Sequence, residues 1–207
     1  MIDPSGSGLV IHHFARTLRF VSIDAKYVNM ADINASTLSA RLPDPAQERP
    51  AGGPAYDLIE LLFFAYRDFI TDADDRLAGI GFGRAHHRVL HFVNRHPGMR
   101  VADLLEILQI TKQSLGRVLR DLVENGYVIQ KAGPADRRQR LLYLTTKGET
   151  LARDLALLQT RRFARALHEA GPGAREHARR FLAAMIDPAS REEVERLIAR
   201  ADRNMAR

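Results

Sequence analysis

The sequence contains no cysteine. That absence removes disulfides, thiolate zinc sites, iron–sulfur ligation and any thiol-based redox sensor. No stretch approaches the roughly 18 apolar residues a membrane span needs, and the N-terminus has no clean secretory pattern. A Gly-rich phosphate loop, a nucleophile elbow and a carboxylate pair set in a strand-ended pocket are all missing, and His12-His13 have no obvious partner. An enzyme is therefore not the expected class. Lysine is scarce: of 31 basic residues only Lys26, Lys112, Lys131 and Lys147 are lysine. Genome base composition is enough to cause that bias, so the arginine excess alone decides little. No internal repeat is visible. The expectation is a soluble cytoplasmic protein with no cofactor, no structural metal and no membrane partner.

The 207 residues amount to one ordinary domain or a compact dimerising unit with an appendage. Hydrophobic residues at 45% and charged residues at 27% are typical of chains that build a packed core. The net charge of +6 invites a nucleic-acid reading, and its position matters more than its size. Residues 1–55 are balanced and 56–98 carry a net of −1, whereas 99–148 carry +4 and 149–207 carry +3.

Residues 1–55 differ from the rest. Asp3-Pro4-Ser5-Gly6-Ser7-Gly8, Pro43-Asp44-Pro45 and Pro50-Ala51-Gly52-Gly53-Pro54 argue for a linker or a loosely held, partly disordered arm. Two readings stay open: a native start at Met30, or a helical arm over Phe14–Val28. From Tyr56 the pattern turns helical, and Leu58, Ile59, Leu61, Leu62, Phe63, Phe64, Phe69 and Ile70 leave almost no polar face. Such a helix must be covered on more than one side, and in a small chain a partner subunit is the expected cover. Asp72, Asp74 and Asp75 are expected to return it to solvent.

A second helix, about Arg84–Arg95, stops at Pro97-Gly98. Val101, Leu104, Leu105 and Leu108 mark a short third helix. Thr111 sits where an N-cap belongs, and the helix it opens places Leu115, Val118, Leu119 and Leu122 on one face before Asn125-Gly126 ends it. Two strands, Tyr127–Lys131 and Arg140–Thr145, flank a turn over residues 132–139. Helices follow, broken at Gly171-Pro172-Gly173 and Asp187-Pro188.

Helix, tight link, helix, hairpin is the order of a winged helix-turn-helix. On the Thr111 helix, Gln113, Arg117 and Arg120 fall at i, i+4, i+7 opposite the core, with Lys112 and Ser114 beside them. Long donors at that spacing suit the major groove, where Arg reads guanine and Gln reads adenine. Gly116 lies on this outer surface, at a cost of about 1 kcal/mol against Ala, for which close approach to DNA is a reason. The hairpin tip, Asp136-Arg137-Arg138-Gln139-Arg140, brings three guanidinium groups to a turn suited to phosphates or a narrow minor groove. Either feature alone is more often a solvated surface; their order and spacing together favour DNA.

These residues also resemble the MarR-type transcriptional regulators. The resemblance is carried by Arg88-Val89-Leu90, Val101 to Leu105, Ile110 to Ser114, Leu119 to Val128, and Asp136-Arg137-Arg138 leading into Leu144-Thr145-Thr146-Lys147-Gly148. His86-His87-Arg88 and Gln139 to Tyr143 are similar to a PetP-type branch. The likeness spans about Tyr56 to Ala170, and residues 1–55 have no counterpart in it.

The resemblance implies a mainly α fold with a small β-hairpin wing: a winged helix-turn-helix over 99–148, and an all-helical dimerisation region built from 56–98 and 149–207. It implies a homodimer on a pseudo-palindromic double-stranded operator, with recognition helix 111–125 in the major groove and wing 132–140 at the minor groove. Thr111, Lys112, Gln113, Ser114, Arg117, Arg120, Asp136, Arg137, Arg138 and Arg140 are the expected DNA contacts. Arg138 would enter the minor groove with its guanidinium held by Asp136. A small-molecule effector would sit near Tyr66, His86, His87 and Phe92. Two alternatives are a dimeric interaction protein that has lost DNA binding and a metal- or haem-responsive regulator using the His86–His96 cluster, where His87 and His91 stand at i, i+4.

Overall fold

A computed structural model describes residues 53–134, 136 and 138–205. The expectations for Phe14–Val28, Met30 and Arg137 lie outside the described residues. Helix α1, Tyr56–Ala78, buries only Ile70, Ala73 and Leu77, a stripe at i, i+3, i+7 in its C-terminal half. Every side chain from Tyr56 to Arg67 is exposed, Phe63 at 69%. The acidic run does not return this helix to solvent. Asp72 accepts from Arg162 Nη2 at 2.9 Å and Nε at 3.1 Å, and Asp74 accepts from Arg84 Nη2 at 2.9 Å. Arginines from other helices thus cover the flanks of a buried stripe.

Helix α2, Arg84–Arg95, ends at His96 before the Pro97-Gly98 turn. A two-residue strand β1, Met99–Arg100, leads into α3, Val101–Leu108. Gln109 then takes a left-handed conformation (φ 52°), which costs a residue with a Cβ roughly 1–2 kcal/mol. The Thr111 hydroxyl accepts the Ser114 N–H at 3.1 Å, the N-cap bond its position predicts, and opens α4, Lys112–Glu124. Strands β2, Val128–Ala132, and β3, Arg140–Leu144, form the hairpin. Helices α5, Thr146–Glu169, α6, Ala174–Ala184, and α7, Pro188–Met205, follow. The sheet order is β1-β3-β2, antiparallel throughout, with Met99 opposite Leu142 and Val128 opposite Leu144. Strand β1 was not expected, and β2 begins and ends one residue later than its sequence pattern suggests.

Helix α2 is the hub. It packs against α1, α3, α4, α5, α7 and β3. Leu77, Leu90, Leu104, Leu115, Leu122, Leu142 and Leu155 are fully enclosed in one core, each worth roughly 1.5–3 kcal/mol of burial. Gly148 in the first turn of α5 is required by contact: a Cβ there would lie 2.1 Å from the Tyr127 carbonyl oxygen. Past Leu155 the packing thins. Phe163 meets Phe69 edge-on at 5.4 Å, Arg95 pairs with Asp202, and Ala201 is the one buried residue beyond Leu155 among the described residues. No described helix is long and apolar enough to cross a membrane.

Candidate nucleic-acid interface

The outer face of α4 is made by the same periodicity that builds the core. Leu115, Val118, Leu119 and Leu122 turn inward, which leaves Lys112, Gln113, Gly116, Arg117 and Arg120 exposed. Among the described residues no hydrogen bond or ion pair occupies the side chains of Lys112, Gln113, Arg117 or Arg120. Thr111 and Ser114 are half-buried, tied together by the N-cap bond. A Cβ on Gly116 would meet nothing within 4 Å, so no internal contact demands glycine there.

The hairpin tip is organised by backbone bonds. Gly133 N–H donates to the Gln139 carbonyl at 3.0 Å, and Gln139 N–H donates to the Asp136 carbonyl at 3.0 Å. Among the described residues Asp136 does not hold the Arg138 guanidinium. Its Oδ1 accepts the Arg138 backbone N–H at 2.9 Å, an Asx turn that shapes the tip and leaves the Arg138 side chain exposed. Arg140 is exposed at the start of β3, and Lys131 lies 4.9 Å from the Tyr143 ring centroid.

The wing is fastened to α4 at its root. Thr145 Oγ1 donates to the Gly126 carbonyl at 2.7 Å and accepts from Gly148 N–H at 3.1 Å. Lys147 Nζ donates to the Asn125 carbonyl at 2.9 Å and sits 4.2 Å from the Tyr127 ring centroid. Arg88 reaches from α2 to the Leu108 carbonyl at 2.8 Å, which fixes the end of α3 before the turn. Burial pushes the Arg88 guanidinium down, against an upward pull from Tyr66.

The four effector candidates do not converge on one cavity. A groove of about 1070 Å³ runs between α2, β1, α3 and α7, lined by Phe92 together with His91, His96, Met99, Ile107 and Leu197. Tyr66 is exposed on α1, and His87 is buried in the core, where desolvation lowers its pKa against a smaller opposing effect of Asp74. His86 faces α4. His91 and His96 also line the groove; the sequence analysis names them only through the metal- or haem-responsive alternative, on the i, i+4 spacing of His87 and His91. Burial pushes the His91 imidazole down to about 4, with smaller contributions from His87, Arg95 and His96, although more than a third of the residue's surface stays open. Water at that open edge eases protonation relative to full enclosure. Among the described residues no three or more His, Asp or Glu side chains are grouped to hold a metal ion.

Comparison with known proteins agrees with this architecture. The profile of the MarR family matches residues 80–139. The HTH-type transcriptional regulator PetP of Rhodobacter capsulatus is 48% identical over 139 residues, covering 67% of this chain and 84% of that one. A crystal structure of MarR superposes with a TM-score of 0.54 at 21% identity, covering 72% of this chain and 99% of that one. The S. aureus MepR–DNA complex gives a TM-score of 0.52 at 18% identity, covering 64% and 96%. These two likenesses establish the winged-helix fold, and the level of identity to PetP establishes kinship: the chain belongs to the MarR family of transcriptional regulators and is not an enzyme.

Proposed function

We propose that the protein is a homodimeric, sequence-specific regulator that binds a pseudo-palindromic site in double-stranded DNA. Residues 99–148 form the reading unit, while 56–98 and 149–207 supply the dimerisation and support helices. The observation that carries this reading is the outer face of α4: Lys112, Gln113, Arg117 and Arg120 stand exposed with no internal partner among the described residues, beside a wing that presents Arg138 and Arg140. An arginine already paired to a carboxylate would lose that pair on meeting DNA; these do not. Gln113 and Arg117 read base edges, Lys112 and Arg120 meet the flanking backbone, and Arg138 enters the minor groove with Arg137 and Arg140 on phosphates. The fold neighbour MepR, solved as a DNA complex, supports this docking.

A second copy covers the apolar surface of α1. Leu61 at 63%, Phe63 at 69% and Phe64 at 56% exposure are far more apolar surface than a monomer of this size leaves open, and Phe181 and Met185 add to it. A small-molecule effector acts here by favouring one separation of the two recognition helices over another, which requires different affinity for the two dimer geometries.

Fluorescence anisotropy tests the reading, using a duplex selected by the protein from a randomised pool and a scrambled duplex of the same composition. A preference for the selected duplex that survives near-physiological salt supports a sequence-specific regulator. Equal, weak binding to both that disappears with salt leaves only a basic surface and overturns it.

A further inference from the structure

Behind the recognition helix lies a stack of side chains that the DNA contacts do not use. His86 stands in the first turn of α2, and its ring lies flat on Phe82, with centroids 4.5 Å apart and planes within 3°. Phe82 meets Tyr127 edge-on at 5.2 Å. The His86 side chain is 13% exposed, so its edges are fixed rather than free to turn. Nδ1 lies 3.1 Å from the Gly83 backbone nitrogen, which can only donate. Nδ1 therefore accepts, and in the neutral ring the proton sits on Nε2. Nε2 in turn lies 3.3 Å from Asp121 Oδ2, on α4. One imidazole thus caps the start of the support helix and grips a carboxylate on the reading helix.

Asp121 matters because of its register. It stands four residues after Arg117, the spacing at which helical side chains meet, and half of its own side-chain surface is exposed. Released from His86, the carboxylate can swing along the helix to Arg117 and draw that guanidinium off the DNA face. We propose that His86 is a positioning residue for base readout: it holds the Asp121 carboxylate against the support helix and so keeps Arg117 unpaired. This rests on the reading of α4 as the helix that enters the major groove.

The test uses the full-length protein, with discrimination measured as the ratio of dissociation constants for the scrambled and wild-type-selected duplexes. His86→Phe keeps the stack on Phe82 and loses both hydrogen bonds, and discrimination falls about tenfold, within the range one base-reading arginine contributes. His86→Gln places a donor where Nε2 was and stays within about threefold of wild type. Asp121→Ala removes the competing carboxylate, so it keeps discrimination alone and restores it in the His86→Phe background. That rescue is the signature, because a purely structural role for His86 gains nothing from a second truncation. Should His86→Phe not fold, His86→Asn keeps an acceptor for Gly83, is too short for Asp121, and carries the same comparison. A double variant as poor as His86→Phe, or a His86→Phe protein that discriminates like wild type, overturns the proposal while leaving the DNA reading intact. A wild-type protein with no preference overturns both.

Discussion

The two ends of α1 belong to one helix and solve opposite problems. The first, Tyr56 to Arg67, is mostly apolar and wholly exposed; the second carries Asp72, Asp74 and Asp75 yet holds every buried residue of the helix. The same contrast divides the molecule. From Ala73 to Leu155 a continuous core ties the end of α1, α2, α3, α4, the sheet and the start of α5 together, while α6 buries nothing of its own. Apolar content therefore does not mark what is inside a chain. It marks what must be covered by something, and for the first half of α1 the proposed cover is a second subunit.

The contrast can be broken most severely at the exposed end. The double replacement Leu61→Asp, Phe63→Asp puts charges into the proposed seam, and analytical ultracentrifugation should show the dimer reduced to monomer with the helical circular dichroism of the reading unit retained. A variant that stays dimeric removes α1 from the interface. Next comes the core. Leu90→Ala, at a site with no exposed surface, should cost about 2–5 kcal/mol in chemical denaturation. A loss near zero there would mean that the shared core is far looser than its packing implies.

Smaller effects separate reading from folding. Arg117→Ala should lower discrimination by roughly 1–3 kcal/mol at particular base pairs and leave the melting temperature unchanged, since the side chain is exposed and has no partner among the described residues. An equal loss on every sequence would make it a phosphate contact. The smallest effect is on acid stability. His87, His91 and His96 all have lowered pKa values, His91 to about 4, with burial the first cause in each. An unfolded histidine titrates near 6.5, so between about pH 6.5 and 4 the unfolded chain takes up protons that the folded groups refuse. Stability present at neutral pH is then lost on acidification. Melting temperatures from pH 7.5 to 4.5 should fall, and His91→Gln should flatten part of that slope; identical slopes would take His91 out of the account.

Most of the reading unit was legible because its signals are local. Pro97-Gly98 stops α2, Thr111 caps α4, and the Leu115 to Leu122 stripe sets the outer face without reference to any other element. What was missed depends on distance. Strand β1 is two residues long, too short for any period, and exists only because β3 lies beside it. The acidic run looked solvated because Arg162, the partner of Asp72, stands 90 residues away. His86 and Asp121 are separated by 35 residues, with no local pattern joining them. Asp136 was misread differently: its proximity to Arg138 was legible, but the carboxylate takes the backbone N–H rather than the guanidinium. Of the effector candidates, Tyr66 lies on α1, and the sequence did not resolve that His86, His87 and Phe92 on α2 look into different places.

The fastening of the wing to α4 has a mechanical consequence. Thr145 bonds Gly126 and caps α5, Lys147 reaches Asn125, and Gly148 lets α5 close onto the Tyr127 carbonyl. Every one of these ties crosses the short stretch between the end of α4 and the root of the hairpin, so helix and wing form a two-pronged fork with a rigid handle. The spacing of the prongs is set at folding, so in the proposed dimer a signal arriving at the seam would have nothing to adjust within a single fork. It can only tilt or spread one fork relative to the other. On that proposal control would act on the calliper formed by two subunits, each subunit alone being a tool of fixed gauge.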